Sequence, residues 1–154
     1  MTGKDAMVQD SDKQFIYSDD LLRKIFDEVK TIALVGASPR GETRASWRVM
    51  RYLQVEGYKV YPVNPDALGR EIHGEKVYPN ILDLPQKVDM VDIFRLPWKV
   101  APVVDEAVEL GVPYIWMQLK VVNEMAAAKA EATGATVIMD RCPAIELPRL
   151  QAAA

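Results

Sequence analysis

The apolar and polar positions of this chain alternate between two periods. Thr31–Val35, Tyr58–Val63, Met90–Phe94, Tyr114–Met117 and Ala135–Met139 are short, nearly continuous apolar runs. Such runs predict strands covered on both faces. Between them the apolar residues recur at helical spacing: Leu21, Leu22, Ile25, Phe26 and Val29; then Trp47, Met50, Leu53 and Val55; then Val100, Val103, Val104, Ala107 and Val108. Helix ends are marked as well. Ser18 can cap a helix from Asp19 to about Lys30, with two acids in its first turn. The second helix begins near Ser46 and stops at Gly57, and the third ends at Gly111. Asn123 can cap an alanine-rich helix running to Gly134, and a short helix follows Pro143.

Strands that alternate with helices predict an α/β fold: a doubly wound parallel sheet of about five strands with right-handed crossovers, in one domain, with an extra N-terminal helix. Residues 1–17 are expected to form a flexible N-terminal arm and 18–150 the domain. The longest break in the pattern is 64–89, with Gly69, Gly74, Pro79 and Pro85, and it reads as an irregular excursion. Ligands of such sheets sit outside the C-terminal strand ends, where the strand order switches. The segments after each strand are therefore the places to look for chemistry.

Composition narrows the classes. A chain of 154 residues suits one domain. A formal charge of −3 gives no general attraction to nucleic acid or anionic lipid, so neither is expected as a partner. No apolar run approaches the ~20 residues that span a bilayer. Met1–Gln14 is polar and lacks the apolar core of a signal peptide. The single cysteine, Cys142, can form no internal disulfide. These features suit a reducing compartment, and a cytoplasmic location is expected.

The first strand runs into Gly36-Ala37-Ser38-Pro39-Arg40-Gly41 and then a helix. A glycine turn between strand and helix favours an anion through the amides and dipole of the helix start. Amides of residues 36–38 and of the helix start near Ser46 can donate to a phosphate group. The Ser38 and Ser46 hydroxyls can add donors, and Arg40 and Arg44 can supply bidentate bonds. The turn departs from both common phosphate motifs. Ser38 stands where G-x-G-x-x-G has its middle glycine, and Glu42 stands where a P-loop has its lysine. A dinucleotide site also wants an acid at the end of the second strand, and here that strand ends in Asn64-Pro65, with Asp66 just beyond. His73, the only histidine, has no carboxylate or cysteine beside it in sequence, and no metal-ligand cluster is evident. Cys142 sits between Arg141 and Pro143; Arg141 can lower its pKa, but a small buried thiol is the expected reading. Asp140 and Arg141 are placed to pair.

Several segments, in order, carry a resemblance: Ile32–Pro39, Tyr61–Pro65, Ile72–Pro79, Val91–Arg95, Trp116–Gln118, Val122–Glu124 and Met139–Pro143. Together they make the chain similar to the small stand-alone CoA-binding domain proteins of bacteria. These in turn resemble the CoA-binding domain of the succinyl-CoA synthetase α subunit. The match covers roughly residues 20–150. The resemblance implies a Rossmann-like sheet and CoA or acyl-CoA as ligand. It implies that Gly36, Ala37 and Ser38 hold the pyrophosphate, helped by Arg40, Arg44 and Ser46. Asn64 and Pro65 would border the adenosine end, and Phe94, Arg95 and Pro97 would flank adenine or ribose. Gln118 would lie toward the pantetheine arm, and Arg70 or Arg95 would meet the 3′-phosphate. Lys120 departs from the glycine expected there.

The resemblance does not extend to the synthetase's phosphorylated histidine, which belongs to a further domain. His73 lies in no equivalent motif, and no base, nucleophile or metal set is evident, so no reaction is assigned. Two alternatives stay open: an NAD(P)-dependent oxidoreductase on the same sheet, and a regulatory or interaction protein that has kept the fold. A homo-oligomer through the apolar surface of the N-terminal helix is also open.

Overall fold

Thr31–Val35 forms strand β1 at the centre of the molecule because its neighbours supply partners on both edges. In the computed structural model, which describes residues 15–153, five parallel strands stand in the order β2-β1-β5-β6-β7. They are β1, β2 (Lys59–Val63), β5 (Met90–Ile93), β6 (Tyr114–Met117) and β7 (Thr136–Ile138). β1 pairs with β2 in register Val35 to Val63, and with β5 in register Val35 to Ile93. The chain runs outward from β1 to β2, then returns to β1's other edge and continues as β5, β6 and β7. The strand order therefore switches between β1 and β5.

Helices cover both faces. α1 (Asp19–Glu28), α2 (Ala45–Val55) and α5 (Pro143–Ala153) pack on one side, burying Leu22, Ile25, Met50, Leu53 and Leu150 against Ile32, Leu34 and Trp116. α3 (Val100–Glu109) and α4 (Glu124–Glu131) cover the other, burying Val104, Ala107, Ala127 and Ala130 against Ala33, Val91, Ile93 and Ile115. Each fully buried Leu or Ile contributes about 1.5–3 kcal/mol. The small residues of α4 let that helix lie close to the sheet.

The caps read from sequence are made. The Ser18 hydroxyl accepts from Leu21 N–H at 3.1 Å, and the Asn123 carbonyl oxygen accepts from Ala126 N–H at 3.0 Å. α1 stops at Glu28, two residues before the expected end, because Val29 turns extended to bury its side chain and enter β1. Of the expected arm, residues 1–14 lie outside the described residues. Residues 15–17 are held to the domain: the Tyr17 hydroxyl accepts from Met139 N–H at 2.8 Å, and Arg141 donates to the carbonyl of Phe15 and lies over the Tyr17 ring.

The excursion at 64–89 is more ordered than its glycines and prolines suggested. It holds a hairpin of β3 (Glu71–Ile72) and β4 (Glu75–Lys76), turned through His73 and Gly74, both at positive φ. His73 Nε2 lies 2.8 Å from the carbonyl oxygen of Trp47, and its ring packs on the Trp47 indole. The histidine is thus a packing residue between the hairpin and α2. Tyr78 bridges to Val63 and extends the β2 edge beyond the hairpin.

Candidate functional site

The site grows from Gly36. Its φ is +90°, and an added Cβ would lie 2.0 Å from the carbonyl oxygen of Phe94. Only glycine allows β1 to end this close to the next strand. On the other side, Gly36 N–H and Ala37 N–H both donate to the carbonyl oxygen of Val63, at 2.8 and 3.3 Å. Ser38 N–H donates to the Ser46 hydroxyl at 3.1 Å. These bonds correct the sequence reading of the turn's backbone: the amides of residues 36–38 are engaged within the protein, because β1 stays stitched to β2 for two residues past the strand end.

The remaining donors lie further along. Arg40 N–H donates to the Ser38 hydroxyl at 3.2 Å, and Arg44 N–H to the carbonyl of Gly41 at 3.0 Å. α2 then begins at Ala45, with Arg44 as an extended N-cap whose side chain makes no capping bond. The amides of Ala45 and Ser46 have no acceptor within their own helix, so the helix offers its positive end. Ser46 is buried, and its oxygen already accepts from Ser38, which leaves its O–H to donate. Arg40 and Arg44 are exposed beside this end.

Asn64 clamps the turn. Its Nδ2 donates to the carbonyl of Ala37 at 2.7 Å, and its Oδ1 accepts from Asp66 N–H at 2.9 Å. The residue at the end of β2 therefore shapes the loop with both polar atoms, where a dinucleotide site would hold an acid for the ribose diol.

Two cavities flank this turn. Phe94 and Arg95 follow β5, with Phe94 packed in the core on the α2 and α5 face. The larger cavity, about 440 Å³, lies between α2 and α5 and is lined by Ala45, Arg48, Val49, Tyr52, Phe94, Gln118, Leu119, Cys142, Ala144 and Ile145. The smaller, about 170 Å³, is lined by Val35, Val63, Pro65, Pro79, Asn80, Ile81, Arg95, Val103 and Glu106. Of the residues singled out in sequence, Phe94, Gln118 and Cys142 meet in the first and Pro65 and Arg95 in the second. Arg70 is exposed and lines neither of these two. Pro97 also lines neither; its carbonyl accepts from Asn123 Nδ2 at 3.2 Å.

The larger cavity has a buried polar floor. Gln118 is 5% exposed, and its Oε1 has no hydrogen-bond partner. One layer below Phe94, Asp92 is fully buried between Leu34 and Trp116, and neither carboxylate oxygen has a partner. Burial pushes the Asp92 carboxyl well above its ordinary range, because desolvation penalises the charged form. Burial also raises the Cys142 thiol, more than nearby backbone amides lower it, and the proximity of Asp92 raises it further. Cys142 is thus the small buried thiol expected from sequence, a wall residue that Arg141 does not activate. Arg141 instead donates to the carbonyl of Asp140 at 2.8 Å, while the Asp140 carboxylate accepts from Lys120 N–H at 2.7 Å.

Sequence reasoning missed Val49, Tyr52, Ala144 and Ile145, which meet only because α2 and α5 pack side by side. Arg48 and Asp92 did leave signals: an arginine one turn after Arg44, and a lone charge inside an apolar run.

Among the described residues, no group of three histidine, cysteine or acidic side chains is placed to hold a metal, and no helix is long and apolar enough to cross a membrane.

A parallel sheet covered on both faces, with a glycine turn and an open helix end at its switch point, defines a Rossmann-like α/β domain. The chain belongs to the CoA binding domain family, whose model matches residues 30–148. It is 35% identical over 121 residues to protein YneT of Bacillus subtilis (strain 168), spanning 79% of this chain and 87% of that one. A hypothetical protein from Pyrococcus horikoshii OT3 superposes with a TM-score of 0.82 at 40% identity, covering 88% of this chain and 93% of that one. ADP-forming acetate–CoA ligase II of Archaeoglobus fulgidus is 38% identical over 103 residues, which are 65% of this chain but 15% of the ligase.

Proposed function

We propose that this chain binds coenzyme A at the switch point between β1 and β5. The observation that carries the reading is the open N-terminus of α2 beside two cavities, one reached through Phe94 and one through Arg95. In this reading the pyrophosphate sits against the amides of Ala45 and Ser46 and the Ser46 hydroxyl. Arg40 and Arg44 supply positive charge. Gly36, Ala37 and Ser38 set the shape of the turn. The adenosine end takes the smaller cavity, by Asn64 and Pro65, with Arg95 better placed than Arg70 for the 3′-phosphate. The pantetheine arm takes the larger cavity, past Phe94 and Gln118. Membership of the CoA binding domain family supports this, as do relatives named as acetate–CoA ligases. The matched stretch is a small part of those ligases, and their reaction is not part of the proposal.

Calorimetric titration with CoA, dephospho-CoA and NAD tests it. CoA is expected to bind most tightly, and dephospho-CoA more weakly because a cation loses its phosphate partner. Ser38→Glu is expected to weaken CoA by setting a carboxylate against the pyrophosphate. No binding of CoA at millimolar concentration overturns the reading, and tighter binding of NAD replaces it with a dinucleotide one.

A further inference from the structure

We infer that Glu106 reads the ligand's base: its carboxylate accepts from the 6-amino group of adenine in the smaller cavity and selects adenine over a purine without that group. The inference rests on the CoA reading and adds a specificity-determining residue to its adenosine end. Three observations carry it. Val103 and Glu106, one turn apart on α3, both line the smaller cavity, whose walls from Val35, Val63, Pro65 and Ile81 are apolar. Arg95 and Glu106 line this cavity with opposite charges, yet among the described residues neither side chain has a hydrogen-bond or ion-pair partner, each other included. The other polar side chain on the wall, Asn80, already accepts from Leu82 N–H through its Oδ1 at 2.9 Å. Glu106 is therefore the side-chain acceptor left for a ligand's donor.

An adenosine 3′-phosphate matches this division of charge. Its anion is on the ribose, and its amino donor is on the far edge of the base. With the 3′-phosphate on Arg95, the ribose 2′-hydroxyl lies beside that phosphate, and a carboxylate there would be repelled. Glu106 stands apart from Arg95 and so meets the base, whose faces lie against the apolar walls. The carboxylate is half-buried, and burial raises it first of all, with Glu109 and Asp83 adding to the effect. An N–H donor offsets both causes through a charge-assisted bond. A base without the amino group leaves the carboxylate desolvated and unpaired.

Calorimetry on the full chain with CoA, and with the CoA analogue that carries purine in place of adenine, tests this. The parent is expected to bind CoA at least about tenfold more tightly than the analogue. Glu106→Ala should weaken CoA by a similar factor and leave the analogue unchanged or slightly tighter, so that the ratio of the two falls close to one. Glu106→Gln keeps an acceptor without the charge and should restore part of the preference. A ratio close to one in the parent, or a loss of both ligands by the same factor in Glu106→Ala, overturns the inference and leaves the CoA reading standing. If the parent binds neither ligand, the CoA reading itself falls, and the inference with it.

Discussion

The α-hydrogen of Gly36 faces the carbonyl of Phe94 so closely that a Cβ in its place would lie 2.0 Å from the oxygen. Phe94 N–H in turn donates to the carbonyl of Val35 at 2.8 Å, so neither strand can retreat without breaking the ladder at the switch point. Gly36→Ala is therefore expected to cost about 3 kcal/mol or more, since the clash is with backbone and the φ is wrong for alanine. Gly41→Ala is the control. Gly41 shares the positive φ, at +92°, but nothing lies within 4 Å of its added Cβ. It should cost only the backbone strain of about 1–2 kcal/mol. Urea unfolding of the two variants measures the difference, and equal losses would show that the approach to Phe94 does not constrain the turn.

The loops after β6 and β7 show the converse case. Lys120 and Asp140 both have positive φ, at 66° and 57°, and the Asp140 carboxylate accepts from Lys120 N–H. The loop thus keeps a glycine-like shape with a lysine in it. Lys120→Gly should relieve strain at the cost of more unfolded-state freedom, for a net gain of about 0.5–1 kcal/mol. A lower denaturation midpoint for the variant would show that Lys120 makes contacts that outweigh its backbone.

These two positions illustrate what could be read in advance. The five strands and their helices were legible because burial on both faces leaves continuous apolar runs, as in Thr31–Val35, and because Ser18 and Asn123 are capping residues next to those patterns. The Gly36 turn was legible as a turn. The fate of its amides was not, because the partner, the carbonyl of Val63, lies on another strand. The hairpin through His73 was hidden because histidine is an unusual turn residue. The larger cavity was hidden because Val49 and Ile145 are separated by most of the chain and meet only when α2 and α5 pack. Asp92 was visible as a charge in an apolar strand, yet only the fold shows it with no partner.

Asn64 offers a test of how the turn is held. Its two polar atoms bond in opposite senses: Nδ2 donates to Ala37 and Oδ1 accepts from Asp66 N–H. Asn64→Asp keeps the acceptor but sets a carboxylate oxygen against the Ala37 carbonyl, whereas Asn64→Ala removes both bonds. Aspartate, the residue a dinucleotide site would prefer, is expected to be no better than alanine here, each costing about 1–3 kcal/mol. Chemical denaturation at neutral pH reads this directly. Parent-like stability of the aspartate variant would mean that the bond to Ala37 does not hold the turn.

Asp92 gives the chain a pH dependence whose sign is set by burial. Its carboxyl is raised well above the ordinary range in the folded protein, with desolvation as the cause. In the unfolded chain the same group ionises near pH 4. Below that pH the proton is bound in both states and the group contributes no slope. Above it the unfolded chain releases a proton that the folded chain keeps. Stability from this residue therefore falls as pH rises, by about 1.4 kcal/mol per unit, until the folded pKa is reached. Asp92→Leu removes that slope and replaces two unpartnered oxygens with an apolar group of similar size. The variant should already be somewhat more stable than the parent at pH 4, where only the unpartnered oxygens count, and its advantage should grow as pH rises toward 7. Unfolding curves for both proteins across that range measure the widening gap. A constant difference between them would mean that Asp92 keeps an ordinary carboxyl pKa in the folded state.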